Sequence, residues 1–223
     1  LKTMPAVKWL EVQFPKVFIE EINQYIDDVV IPNNKDYSNK LVGQLSADKS
    51  AQLDFPLKGY ETGEQFKKVL ENIGKSFIQK PYNRMSSVEC FECWTVHSYE
   101  GDYNPLHDHG VQTQSGLSCI LYLKVPDSIK NKPKIEVPNL NHASGEIDGW
   151  TQFQWGANTM KDIYQLREQT QHVVRPVEGK LLMFPCWLSH MVWPFKGEGE
   201  RRTLSANFNI HDSPEVTKQF TER

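Results

Sequence analysis

Apolar residues recur at helical spacing from Val17 to Val30, where Phe18, Ile22, Tyr25, Ile26 and Val29 share one face and acidic residues fall between them. This pattern predicts an amphipathic helix. A second helix is predicted after Thr62, because Thr62 and Gln65 fit a capping box and Phe66, Val69, Leu70, Ile73, Phe77 and Ile78 form an apolar stripe behind it. After Pro81 the texture changes to short runs of β-branched and aromatic residues broken by Gly, Pro and Asn. Val88–Tyr99, Gly116–Val125, Gly149–Trp155, Lys180–Phe184 and Arg202–Ile210 read as strands. Helices first and strands later, without βαβ alternation, imply a mainly β fold, a barrel or sandwich with flanking helices. Between Pro126 and Val173 lies a long polar excursion with one or two strands, of the kind that forms lids and binding loops.

A chain of 223 residues suffices for one β barrel or sandwich. A single domain over 1–223 is expected, with a helical support region at 1–80 and a β core at 81–212. The net charge of −3 and pI near 6.2 leave no basic stripe, which weighs against a nucleic-acid partner and an anionic membrane surface. No run approaches the roughly 20 apolar residues of a membrane span, and Leu1 to Leu10 lack the order of a signal peptide, so a cytoplasmic location is expected. The four cysteines are too sparse for a disulfide scaffold. Cys90 and Cys93 spell C-x-x-C, but regular strand alternation would send their thiols to opposite faces, against a metal or redox pair.

The chemistry concentrates in His107-Asp108-His109 and, further on, His190. Gly101 to Pro105 reads as a turn delivering the tripeptide at a strand start. Imidazoles at i and i+2 of an extended segment project from one face and can grip one ion together. Three protein ligands on one side of a first-row metal leave open positions for other groups, the pattern of a catalytic rather than a closed structural site. His-Asp-His is equally a surface-turn composition. The strand after Arg201 places Arg201, Thr203, Ser205, Asn207 and Asn209 on one face and Arg202, Leu204, Ala206, Phe208 and Ile210 on the other. Its polar face meets solvent or lines a cavity.

Four runs in order, Asn104 to Gly110, Ser115 to Pro126, Phe184 to His190 and Glu200 to Asn207, resemble the iron(II)- and 2-oxoglutarate-dependent oxygenases, in particular their bacterial and phage branch. The resemblance covers roughly residues 90 to 210. It implies a double-stranded β-helix, or jelly roll, with iron(II) at its mouth and 2-oxoglutarate as cosubstrate. Position by position, His107 and His190 match the two histidine ligands, and Arg201 matches the basic residue that pairs with the far carboxylate of 2-oxoglutarate. A guanidinium fork suits that grip, Thr203 adds a hydroxyl on the same face, and Tyr122 reaches in from a neighbouring strand. Arg202 is the rival of Arg201. Most members carry His-x-Asp. Here strand parity favours His109 as third ligand, with Asp108 as the alternate. The implied reaction hydroxylates a C–H bond of a peptide or small-molecule substrate, with release of succinate and CO2. The same residues also resemble the cupins, metal-dependent dioxygenases and isomerases that usually add a glutamate four or five residues after His-x-His, where Thr113 and Gln114 stand. A non-catalytic jelly-roll binding module is the third reading. The aromatic residues Trp94, Tyr99, Trp150, Trp155 and Trp187 either line a pocket or belong to the core. The oligomeric state is not encoded in any of these patterns.

Overall fold

The computed structural model describes residues 7–38, 41–43, 45, 51–110, 115–131, 146–156, 164, 166 and 168–221. Strands β1 (Leu10–Gln13), β8 (Lys180–Pro185), β5 (Gly116–Lys124), β10 (Arg201–His211), β3 (Ser87–Ser98) and β2 (Gln52–Asp54) form, in that spatial order, a six-stranded sheet. A second sheet has the order β4 (Asn104–His107), β9 (Ser189–Val192), β6 (Thr151–Gln154) and β7 (Gln171–Val174). All pairings are antiparallel, giving the two-sheet jelly roll with flanking helices.

Alternation along the central strands divides the interior in two. Leu117, Cys119, Leu121 and Leu123 of β5, with Leu181 and Met183 of β8 and Leu204, Ala206 and Phe208 of β10, pack under helices α1 (Lys16–Tyr25) and α3 (Glu61–Tyr82). Ile120 and Tyr122 of β5 and Leu182 and Phe184 of β8 face the smaller sheet instead, against Phe153, Trp150 and Val174. Burying each large side chain contributes about 1.5–3 kcal/mol, so the central strands β5 and β8 are anchored on both sides.

The first predicted helix continues from α1 into a wider π turn at Ile26–Val30 and a last turn, α2, at Ile31–Asn33. The second helix begins at Glu61 behind Tyr60, one residue before the expected cap. No side-chain cap bond forms; Thr62 lies inside the first turn, and it is Glu64 that reaches back to accept from the Gly59 N–H (3.1 Å). Its apolar stripe is as predicted, and Gly74 brings it close to β3, since a Cβ there would lie 2.9 Å from Val88. The N-terminal region is not purely helical: β1 and β2 supply both edges of the larger sheet. Beyond β10 a further helix, α5 (Pro214–Thr221), follows.

The expectation for Cys90 and Cys93 fails for a local reason. A β-bulge in β3 leaves Phe91 unpaired while Glu92 opposes Asn207 and Cys90 opposes Phe208, so alternation slips by one. Both thiols therefore face the same helix-side core. Within the Pro126–Val173 excursion the structure shows helix α4 (Asp127–Lys130), β6 and the start of β7. Positions 113 and 114 lie outside the described residues. Among those residues no helix is long and apolar enough to cross a membrane.

Candidate functional site

The tripeptide closes β4 rather than opening a strand. The β4–β9 ladder sets His107 directly opposite His190, and the backbone N–H of His109 donates to the Cys186 carbonyl (2.8 Å), tying the turn after β4 to the turn before β9. One ligand nitrogen from each of His107, His109 and His190 falls within 4.8 Å of the others. Ring centroids are 4.4 Å apart for His107 and His190 and 5.3 Å for His109 and His190.

Local bonds prepare two of these rings. Nδ1 of His107 lies 2.7 Å from the Pro105 carbonyl and Nδ1 of His190 lies 3.0 Å from the Leu188 carbonyl. A carbonyl only accepts, so each Nδ1 carries the proton and each Nε2 keeps its lone pair for the cleft. Burial holds His107 below the usual imidazole range. The fully enclosed His190 is driven further down by burial and then by the two neighbouring rings. Both are neutral at pH 7, the form that binds a cation. Nδ1 of His109 lies 3.3 Å from Nδ2 of Asn207, which is itself held by Ser118 and Glu92. Asp108 is exposed at the cleft's edge, where its Oδ1 accepts from the Gly110 N–H (3.0 Å), and no carboxylate joins the histidine cluster among the described residues.

The histidines share one cleft with the polar face of β10, so Arg201, Thr203 and Ser205 line a cavity rather than meet solvent. Arg201 is 2% exposed. Its Nε donates to the Gly149 carbonyl (3.0 Å) and its Nη2 to Thr151 Oγ1 (3.4 Å), and the guanidinium sits 5.4 Å over the Tyr122 ring. Among the described residues it has no carboxylate partner, and burial lowers its pKa. A buried unpaired charge costs several kcal/mol, which marks the end of the cleft as a seat for an anion. Arg202 points the other way, bonded to Glu200 (2.9 and 3.1 Å), Asp27 (2.7 Å) and Asn23 (3.1 Å), and is spent on holding β10 to α1 and the π turn.

Tyr122 does not line the cleft; it is enclosed behind Arg201, with its hydroxyl on Thr151. Of the aromatic candidates, Trp94 lines the cleft, stacked on Tyr37 (5.3 Å). Trp150 lies in the core between the sheets with Trp155 packed against it, Tyr99 is outside the lining, and Trp187 is largely exposed. Sequence reasoning missed Tyr37, Glu92, Gln52 and Tyr103 at this cleft. Tyr37 and Gln52 come from a stretch without periodicity. Glu92 was legible only to a reader who foresaw the bulge.

Residues 92–207, just over half of the chain, match the model of the family described as "Putative 2OG-Fe(II) oxygenase". No curated protein matches the sequence. Among solved structures, a Pseudomonas putida prolyl-4-hydroxylase is 14% identical and superimposes with a TM-score of 0.52, covering 93% of this chain and 94% of its own. HygX from Streptomyces hygroscopicus, solved with nickel and 2-oxoglutarate bound, is 11% identical with a TM-score of 0.55, covering 93% and 83%. The carbocyclase SnoK from nogalamycin biosynthesis, described as non-heme and alpha-ketoglutarate-dependent, is 9% identical with a TM-score of 0.57, covering 92% and 80%. Identities this low establish a shared fold. The sequence match spans all three histidines and Arg201, and by it the chain belongs to the 2OG-Fe(II) oxygenase family.

Proposed function

We propose that the protein binds iron(II) through His107, His109 and His190 and 2-oxoglutarate through Arg201, and hydroxylates a C–H bond of a peptide or small-molecule substrate. The observation that carries this reading is the meeting, in one cleft, of three converging imidazoles and a buried guanidinium with no carboxylate of its own among the described residues. The residues fit the metal, because His107 and His190 present Nε2 lone pairs fixed by backbone carbonyls. They fit the cosubstrate, because the donors that Arg201 does not spend on Gly149 and Thr151 suit a two-point grip of a carboxylate.

Bound iron(II) would supply oxygen activation coupled to decarboxylation of 2-oxoglutarate to succinate. The chain's own side chains do the rest. Arg201 anchors the far carboxylate, Thr203 offers a hydroxyl beside it, and Phe153 and Phe184 pack against His190 and keep water from its back face.

The test is formation of succinate from 2-oxoglutarate by the purified chain with iron(II) and ascorbate. Arg201→Ala is expected to weaken 2-oxoglutarate binding by about 100-fold, the loss of a charged two-point contact, and to leave metal affinity in place. No succinate and no metal uptake, or unchanged 2-oxoglutarate affinity in the variant, would refute the assignment.

A further inference from the structure

Two carboxamide side chains in the cleft wall have no hydrogen-bond partner among the described residues. Gln52 of β2 is 5% exposed and lines the cleft, and its side chain makes no bond there. Asn104 of β4 lines the same cleft, and its Oδ1 is fully buried without a partner. A buried amide left unpaired costs about 1–3 kcal/mol and an apolar residue would avoid that cost, so the polar side chains kept here point to a ligand. The ladders put both at one open edge between the sheets, since β2 and β4 are outer strands. In the larger sheet Gln52 pairs with Val96 and Val96 with Thr203; in the smaller, Asn104 pairs with Val192 and Val192 with Thr151. Each row runs two strand spacings, roughly 9–10 Å, from a carboxamide to a threonine next to Arg201, so the amides lie to one side of the seat that Arg201 forms. Along the strands, Asn104 precedes His107 by three residues and its partner Val192 follows His190 by two, which is roughly 7–10 Å from the histidine row.

We infer that Gln52 and Asn104 form a subsite for an uncharged amide group of the prime substrate, and that this substrate is a peptide whose backbone amide is held two to three residues' length from the carbon that reacts. The inference rests on the reading of the cleft as an oxygenase site. Asn104 Oδ1 calls for a donor, while Gln52 carries an NH2 donor and a carbonyl acceptor on one group. An amide supplies N–H and C=O together and satisfies both side chains. A carboxylate only accepts, so it leaves Asn104 Oδ1 unpaired, and the carboxylates of Glu92 and Asp108 lining the same cleft repel it. An ammonium only donates, so it leaves the Gln52 NH2 unpaired. Val96 and Val192, which stand between the amides and the clamp, give the adjoining part of the substrate an apolar wall.

The test uses the full chain, isotope-labelled for NMR and loaded with Zn(II) and then 2-oxoglutarate, and three probes of one shape: isovaleramide, isovalerate and isoamylammonium. The side-chain NH2 signals of Gln52 and Asn104, identified by their loss in Q52M and N104L, follow each titration. Isovaleramide is expected to move both signals and to bind about tenfold more tightly than either charged probe, the difference made by one well-paired buried hydrogen bond. Q52M is expected to weaken isovaleramide about tenfold and to unfold at the parental temperature or above, because Gln52 gives up no side-chain bond within the fold. N104A replaces N104L if the leucine variant does not fold, as judged by its thermal transition. Equal or tighter binding of isovalerate or isoamylammonium overturns the inference, as does an isovaleramide titration that leaves both signals in place. So does a Q52M variant that loses thermal stability and keeps parental affinity, the result for a structural glutamine. If 2-oxoglutarate alone moves both signals, the amides belong to the cosubstrate, and the inference falls while the functional reading stands. If the parent takes up neither Zn(II) nor 2-oxoglutarate, the functional reading fails first, and the inference with it.

Discussion

Glu200 stands immediately before the proposed clamp, and its charge fixes where β10 begins. Its carboxylate meets Nδ1 of His97 at 2.6 Å, Arg202 at 2.9 and 3.1 Å and Nζ of Lys124 at 3.5 Å. Burial alone would raise its pKa, but bonds from His97 and Arg202 outweigh that and bring it from 4.5 to about 2. At about 1.4 kcal/mol per pKa unit, the difference is worth roughly 3 kcal/mol at neutral pH. The side chain is only 18% exposed, so solvent screening takes little of this. The folded pKa is the depressed one, so the contribution is complete above the unfolded value and is lost as pH falls through the folded value. At pH 3 about 1.5 kcal/mol remains, and below about pH 2 almost nothing.

Glu200→Gln keeps the shape and removes the charge. It is expected to cost about 3 kcal/mol at pH 7, a fall of roughly 6–12 °C in the thermal midpoint for a chain of this size, and about half as much at pH 3. Urea unfolding of parent and variant at both pH values measures the two differences. A cost below about 0.5 kcal/mol at pH 7, or one that does not shrink on acidification, would refute the reasoning.

His107→Ala and His190→Ala are each expected to lower Co(II) affinity at least about 100-fold and Asp108→Asn to leave it unchanged, read by direct titration; a strong Asp108 effect would restore the carboxylate as third ligand. The metal-free protein should lose stability as pH falls below about 6.5, since the unfolded chain takes up protons there that buried His107 and His190 refuse in the fold. This window lies above that of Glu200, and equal urea midpoints at pH 7.5 and 5.5 in the presence of a chelator would count against it. Gly149→Ala should destabilise the fold by about 1–3 kcal/mol, because Gly149 has φ of +73° and a Cβ there would sit 2.3 Å from Ile129 Cδ1. Cys90, Cys93 and Cys119 are enclosed and their thiols are pushed far up, Cys90 to about 12. Iodoacetamide at pH 8 should leave all three unmodified in the folded chain and alkylate them in urea.

The histidine cluster was legible because its signal is local. His-x-His needs only an extended segment, and the alternation from Arg201 to Asn209 announced which arginine faces the cavity. The supports of Arg201 were not legible. Thr151 reaches Arg201 through the packing of one sheet against the other, and nothing within either strand reports that contact. Edge strands β1 and β2 escaped because three or four residues carry too little alternation to stand out. The capping box failed for a related reason: Thr62 and Gln65 have the right spacing, but the helix begins two residues earlier, at Glu61, where the Gly59 N–H meets Glu64.

The single unpaired residue Phe91 acts as a phase shifter for all that follows it on β3. Upstream, even-numbered residues Val88 and Cys90 face the helices. Downstream, Cys93 takes that side, and Glu92, Trp94, Val96 and Ser98 line the cleft. Were Phe91 to pair as a regular strand residue instead, the side chains after it would be dealt out in reverse, and Cys93, Thr95 and His97 would face the histidine cluster. The composition of the cavity wall is therefore set by the bulge as much as by the sequence, because a strand that paired Phe91 regularly would exchange an acidic, aromatic wall for one of thiol, hydroxyl and imidazole.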